Sequence, residues 1–317
     1  MTNDADRPED EGTPAPAPEL APTRSGFVAL LGAPNAGKST LVNQLVGTKV
    51  SIVTHKVQTT RALVRGIAMR DRTQIVFVDT PGVFAPKRRL DRAMVRTAWT
   101  GAMDADIVLA IVDAERGLSE DVETILDRVQ HVPQTKVLLL NKVDRIKRDL
   151  LLGLTEKIAS RVDFAKVFMI SALTGSGCDD LIDWIAKTLP EGPWYYPEDQ
   201  ITDLPLRQLA AEITREKLYL RLHQELPYSS HVETELWETR KDGSVRIEQT
   251  IYVERDSQKR IVIGHNGETI KAIGQAARKE IMEAADQTVH LFLFVKVREN
   301  WGDDPERYRE IGLDFSS

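Results

Sequence analysis

The segment Gly32, Ala33, Pro34, Asn35, Ala36, Gly37, Lys38, Ser39, Thr40 fits the spacing G-x-x-x-x-G-K-[ST], in which each specified residue has a chemical task. Glycine lets backbone N–H groups turn inward around a phosphate. A helix starting at the loop points its positive end at the same place, and Lys38 adds a mobile charge for the outer phosphates. Ser39 brings a hydroxyl to a magnesium ion. The apolar run Phe27, Val28, Ala29, Leu30, Leu31 precedes the loop and a helical segment follows it, the context that such a loop requires. A Gly-rich turn that ended in Lys-Ser by chance would have no reason to sit between a buried strand and a helix.

This loop does not choose its nucleotide, because ATPases, kinases and GTPases share it. Three later segments narrow the choice. Asp79, Thr80, Pro81, Gly82 follows the run Ile75 to Val78, so a carboxylate leaves a strand end toward the phosphate loop, where it can hold a magnesium-bound water. Asn141, Lys142, Val143, Asp144 follows the run Val137 to Leu140. An Asp carboxylate there can accept hydrogen bonds from guanine's ring N–H and exocyclic amine, whereas adenine offers neither donor. Sites built on such bonds reject the wrong partner by orders of magnitude. Ser171, Ala172, Leu173 follows Lys166 to Ile170 and offers backbone N–H groups to the guanine oxygen. Taken singly these are a Pro-Gly turn, a helix cap and a strand exit; their order behind the phosphate loop carries the reading.

A second chemistry lies far downstream. Gly264, His265, Asn266, Gly267 follows Ile261, Val262, Ile263 and opens an amphipathic segment, 268–285, with Ile270, Ile273, Ala277 and Ile281 on one face. G-x-x-G is the loop with which KH modules clamp a nucleic-acid backbone. From Arg255 to Lys279, Arg255, Lys259, Arg260, Lys271, Arg278 and Lys279 stand against only Asp256 and Glu268, in a chain of net charge -6. The expected RNA contacts are Gly264, His265, Asn266 and Gly267, with Lys259, Arg260 and Lys271 adding charge. The bland alternative is a turn before a surface helix with solvated lysines, since G-x-x-G alone is a weak signal.

These loops need a scaffold. Strand-length apolar runs recur at Ile75 to Val78, Ile107 to Val112, Val137 to Leu140 and Val167 to Ile170, with helix-length segments such as Val122 to Val129 and Leu151 to Ser160 among them. Strands alternating with helices predict a mainly parallel α/β sheet with helices on both faces. We expect an acidic, proline-rich disordered tail over 1–25, this α/β domain over 26–190 and a linker over 191–205. A small α+β, KH-like module then spans 206–300, with a C-terminal tail over 301–317. In the module, Leu206, Leu209, Ala210, Ile213 and Leu220 share a helical face, Val232 to Leu236 and Val245 to Val253 alternate as a hairpin, and His290 to Arg298 reads as a last strand. The 317 residues allow two cores, Cys178 stands alone, and the longest apolar run, Ile107 to Val112, is far too short to span a bilayer. A disulfide scaffold, a secretory leader and a membrane-spanning helix are excluded on this reading.

The ordered set resembles the GTPase superfamily, and Gln58, Thr59, Thr60, Arg61 resembles the first switch of its Era and tRNA-modification group. By that resemblance Thr60, ahead of Thr59, joins Ser39 and Asp79 (the latter through water) in holding Mg²⁺. Val83 stands where signalling GTPases carry a water-orienting glutamine. Relatives with an apolar residue there recruit K⁺ through the P-loop asparagine, here Asn35, so Lys38, Asn35 and Thr60 are the expected catalytic residues. The stretches Gly264 to Ile273, Val289 to Val297 and the ending Glu310 to Phe315 resemble the Era family of bacterial GTPases. That resemblance implies binding of GTP and GDP, and of the 3′ region of small-subunit ribosomal RNA. GTP would order the first switch through Thr60 and the second through Gly82, setting RNA affinity during small ribosomal subunit assembly. It also implies a cytoplasmic protein with loose peripheral membrane contact at the inner face; a monomer is assumed, since nothing in the sequence indicates the oligomeric state. One departure is His265 and Asn266, where relatives often place a lysine, which weakens the loop's charge and makes it pH-dependent. The rival readings are a low-turnover GTP-dependent binding protein whose second domain meets a protein, and a tRNA-modification GTPase, which needs a reactive cysteine.

Overall fold

The computed structural model describes residues 22–56, 59–222, 230–299, 308, 312 and 313. The expected tail up to residue 21, Gln58, and most of 301–317 lie outside the described residues.

The apolar runs form β1 (Arg24–Gly32), β3 (Thr73–Asp79), β4 (Ile107–Asp113), β5 (Thr135–Asn141) and β6 (Lys166–Met169), which with β2 (Val64–Arg70) make one sheet in the order β2-β3-β1-β4-β5-β6. All neighbours pair in parallel except β2, antiparallel to β3 at one edge. Helices α1 (Lys38–Val46) and α5 (Cys178–Thr188) cover one face; α2 (Arg89–Met103), α3 (Glu120–Val129) and α4 (Arg148–Ala159) cover the other. β3 and β4 are buried along their whole length, as strands covered on both faces must be. The start of α3 shows how local sequence fixes an element. Ser119 Oγ accepts from the Val122 N–H at 3.4 Å, Glu120, Asp121 and Glu123 meet the positive helix end, and Val122, Ile125, Leu126 and Val129 bury one stripe.

Parallel pairing brings the C-terminal ends of β1, β3, β4 and β5 to one rim, which is where Gly32, Asp79, Asp113 and Asn141 lie. Chain order reverses between β1 and β4, so the crevice opens above β1. β1 begins at Arg24, which corrects the expected tail boundary: the Thr23 and Ser25 hydroxyls donate to the Gly192 and Pro193 carbonyls and pin the strand's entry. The segment expected as a linker is also tied down. The Ile67 N–H donates to the Ile201 carbonyl at 2.8 Å, Thr202 Oγ1 donates to the Arg65 carbonyl at 2.7 Å, and Arg65 pairs with Asp203.

The second domain comprises α6 (Leu206–Arg221), β7 (Ser230–Thr239), β8 (Val245–Val253), α7 (Asp256–Ile263), α8 (Glu268–Ala285) and β9 (Val289–Val297), with sheet order β7-β8-β9. β7 and β8 are antiparallel, whereas β8 and β9 are parallel across the two helices. Ile261, Val262 and Ile263 end a helix that the sequence reading did not contain; so short an apolar run has no period of its own. On α6, Leu209, Ala210 and Ile213 are buried as expected, but Leu206 and Leu220 are about half exposed. Toward the C-terminal end of α6, Leu218 and Tyr219 are buried instead, on another side of the helix, in a second cluster with Leu222, Val232, Ile251 and Val253. Tyr308 and Leu313 bury against Leu90, Ala93 and Met94 of α2, returning the chain's end to the first domain.

Candidate functional site

The phosphate loop closes on itself. Gly37 caps α1 at φ 101°, and a Cβ there would lie 2.2 Å from Asn141 Nδ2, so only glycine fits. Lys38 is 6% exposed and its Nζ donates to the Gly32 and Ala33 carbonyls at 3.0 and 3.1 Å. Burial lowers this ammonium to about 8, with Asp79 pulling it part of the way back up. Asn35, Gly37, Lys38, Ser39 and Thr40 line a cavity of about 260 Å³ that extends to Asp144 and Leu173. Ala36, 2% exposed, packs in the core beneath the loop.

Three chain segments converge on one carboxylate. Asp79 Oδ2 accepts from Ser39 Oγ at 2.6 Å, Ser51 Oγ at 2.6 Å and Thr60 Oγ1 at 3.3 Å, and Ser39 Oγ lies 3.0 Å from Thr60 Oγ1. Asp79 Oδ1 is buried without a hydrogen-bond partner among the described residues. Burial pushes the Asp79 carboxyl up, against the three hydroxyls and Lys38. One carboxylate with two hydroxyls beside a phosphate loop suits Mg²⁺, which keeps water and takes phosphate oxygens rather than an all-protein cage. Thr59 Oγ1 instead meets Thr54 Oγ1 at 2.6 Å and donates to the Lys56 carbonyl at 2.8 Å, so the geometry favours Thr60 for the metal.

At the other end of the cavity, Asn141 and Lys142 work on the protein itself. Asn141 Nδ2 donates to the Ala36 carbonyl at 2.8 Å, and its Oδ1 accepts from the Ala172 N–H at 2.9 Å. Two of the three backbone donors expected for guanine are engaged within the protein, the Ala172 N–H by Asn141 and the Ser171 N–H by the Ser176 carbonyl at 3.0 Å. Lys142 Nζ donates to the Asn35 carbonyl at 2.8 Å and to Asp113 Oδ2 at 2.6 Å. Asp144, Ser171, Ala172 and Leu173 line the cavity, Leu173 being 72% exposed.

Near the phosphate end, Gly82 approaches Pro34 closely enough that a Cβ would lie 3.0 Å away. The next residue, Val83, is core, and its N–H donates to the Gly32 carbonyl at 3.1 Å. Asn35, at φ 64°, donates its side-chain amide to the His55 carbonyl at 2.9 Å. Cys178 is buried, and burial followed by Asp179 pushes its thiol up to about 11, which removes the reactive cysteine that the tRNA-modification reading needs.

The second loop is open. Gly264 (φ 75°) and Gly267 (φ 79°) bracket the exposed His265 and Asn266, and Gly267 caps α8. A Cβ at Gly264 would strike Thr269 Oγ1 at 2.1 Å, whereas one at Gly267 would meet nothing within 4 Å. Lys271 is exposed one turn into α8, Arg260 is exposed on α7, and Lys259 is partly exposed beside it.

Sequence reasoning missed Ser51 and Asp113. Ser51 is fixed by Asn43, whose Oδ1 accepts its N–H at 2.9 Å and whose Nδ2 donates to its carbonyl at 2.7 Å; no spacing announces this. Asp113 was legible in principle, because it ends a buried strand just as Asp79 does.

The family described as 50S ribosome-binding GTPase matches residues 27–142, and the KH domain matches 225–302. GTPase Era of Mesorhizobium japonicum is 73% identical over 94% of this chain and 96% of its own, and that of Afipia carboxidovorans is 62% identical over 95% and 97%. Two solved structures superpose at TM-score 0.87 with 38% identity, covering 92% of this chain and 99% of theirs. One is an Aquifex aeolicus Era variant bound to GDP and aluminium fluoride; the other is Era with MgGDPNP and nucleotides 1506–1542 of 16S ribosomal RNA. With relatives this similar along nearly its whole length, and with both family models matching, the chain belongs to the Era family of GTPases.

Proposed function

We propose that this chain hydrolyses GTP to control its hold on the 3′ region of small-subunit ribosomal RNA during subunit assembly. The observation that supports this most is the meeting of Ser39, Thr60 and the half-satisfied Asp79 at the phosphate loop. Lys38 and the loop's N–H groups at Gly32 and from Asn35 to Thr40 hold the phosphates, and Ser39, Thr60 and, through water, Asp79 are the residues that would hold Mg²⁺. Bound Mg²⁺ supplies the charge that neutralises the outer phosphates. Asp144 reads guanine, while Asn141 and Lys142 brace the base loop against the phosphate loop. Gly82 senses the outer phosphate at the second switch.

Val83 brings no hydrogen-bonding group to the attacking water. Asn35 offers an amide oxygen beside the His55 carbonyl, and oxygen donors of this kind suit K⁺, whose charge takes the place of an arginine finger. Gly264 to Gly267 clamp the RNA backbone, with Lys259, Arg260 and Lys271 adding charge. The two neighbours of Thr60 contact the second domain, which supports nucleotide control of the RNA surface.

The test is binding of a short RNA copying the 3′ end of small-subunit ribosomal RNA, at fixed salt, with GDP and with a non-hydrolysable GTP analogue. Tighter binding with the analogue is expected. Equal binding in both states would refute nucleotide control, and no binding would refute the RNA assignment. Turnover in K⁺ should exceed turnover in Na⁺, and equal rates would remove the K⁺ role.

A further inference from the structure

Arg215 sits on α6, outside every motif, and is 1% exposed. Its Nη2 donates to the Thr59 carbonyl at 2.5 Å, its Nε donates to Glu212 Oε1 at 2.9 Å, and Nη2 also meets the other oxygen of that carboxylate. The Tyr219 ring lies 5.2 Å from the guanidinium carbon. On the other side of Thr60, Arg61 is 2% exposed and donates to the Tyr219 hydroxyl at 2.9 Å and the Ser230 carbonyl at 3.1 Å. Residues 59 and 61 are thus both held by the second domain, while Thr60 between them faces Ser39 and Asp79.

The same seam continues toward the start of the switch. The Val53 N–H donates to Glu216 at 2.8 Å, Lys49 spans Glu216 and Glu280, and Lys56 reaches the Leu222 carbonyl. Lys49 is about a third exposed, whereas its partner Glu216 is buried. Two buried guanidinium groups, both beside Tyr219, are costly to desolvate, so this seam is a poor choice for adhesion alone.

We propose that Arg215 is a positioning residue for Thr60: from the second domain it fixes the carbonyl just before Thr60 and so sets that hydroxyl at the Ser39–Asp79 cradle. The inference rests on the reading of Thr60 as a magnesium ligand. It makes the GTP-state cradle incomplete without the second domain, and any ligand that shifts α6 acts on the metal site through the contacts at residues 59 and 61, the Arg215 bond to Thr59 lying next to the Thr60 hydroxyl. Switch segments of GTPases are ordered by the γ-phosphate and Mg²⁺ and released on hydrolysis, so the effect belongs to the GTP state and not to GDP.

The experiment measures affinities of the full chain for fluorescent GDP and a fluorescent non-hydrolysable GTP analogue, across a Mg²⁺ titration. Arg215→Ala should weaken analogue binding about tenfold, the effect of losing one charge-assisted hydrogen bond, with GDP affinity unchanged. Arg215→Lys should recover part of the loss, and Glu212→Gln, which only loosens Arg215, should fall between. Arg65→Ala, which breaks the Asp203 pair elsewhere along the domain junction, should leave the analogue's affinity unchanged. Equal losses for GDP and analogue in Arg215→Ala and Glu212→Gln, or no loss in either, would overturn the proposal. Thr60→Ala tests the underlying reading separately: if it keeps the wild-type Mg²⁺ dependence of analogue binding, the Thr60 assignment fails first.

Discussion

Two glycine loops at helix N-termini, the one before α1 and the one before α8, are built in opposite ways. At the phosphate loop the Lys38 and Asn141 side chains are buried and hydrogen-bonded, and a single methyl added at Gly37 would collide with Asn141. At Gly264 to Gly267 the intervening side chains are exposed, and the space beside Gly267 is empty. A closed loop recognises one small ligand through many simultaneous contacts, each costly to lose. An open loop accepts a passing polymer through shape and charge, and no single contact dominates. Damage to the first loop should therefore be large and local, and damage to the second modest and graded.

The largest effect is expected from Lys38→Ala, which removes a buried cation from the outer phosphates. GTP affinity should drop by about a hundredfold or more, read by nucleotide titration. A loss within a few-fold would mean that the backbone cradle does nearly all the binding. Next, Asp144→Asn should lower the preference for GTP over ATP by about a hundredfold in a competition assay, because the amide presents a donor where guanine needs an acceptor. An intact preference would break the base-recognition argument.

The smallest effect tests the comparison itself. Gly267→Ala pays only left-handed backbone strain, about 1 kcal/mol, seen as a small drop in thermal stability. Gly37→Ala adds a collision to the same strain and should cost clearly more, together with nucleotide binding. Equal costs at the two glycines would show that the loops are not differently packed.

The closed loop was legible because its chemistry admits few residue types. Glycine at a tight backbone approach, a lysine behind it and strand-end carboxylates leave a pattern in one dimension, and unbroken apolar runs mark the buried strands. The partners of those residues were not legible. Ser51 reaches Asp79 across 28 positions and Arg215 reaches Thr59 across 156, and neither distance is recorded in local spacing. Arg215 and Glu216 look like ordinary surface charges on an amphipathic helix, yet both are buried at the domain junction. β2 escaped notice because Arg65, Gly66 and Arg70 break its apolar pattern; it is an edge strand completed by the segment after Pro197. The helix before Gly264 was hidden by an apolar triplet that fits either period.

Coupling between the two loops is the central claim, and thermodynamic linkage gives it a direct test. If the GTP state tightens RNA binding by some factor, RNA must tighten GTP-analogue binding relative to GDP by the same factor. The decisive measurement is nucleotide affinity for both ligands with and without saturating 3′ ribosomal RNA, at one salt concentration. The account predicts that RNA raises the analogue-to-GDP affinity ratio and that Arg215→Ala abolishes the rise. An unchanged ratio in the wild-type chain, with RNA demonstrably bound, would contradict it.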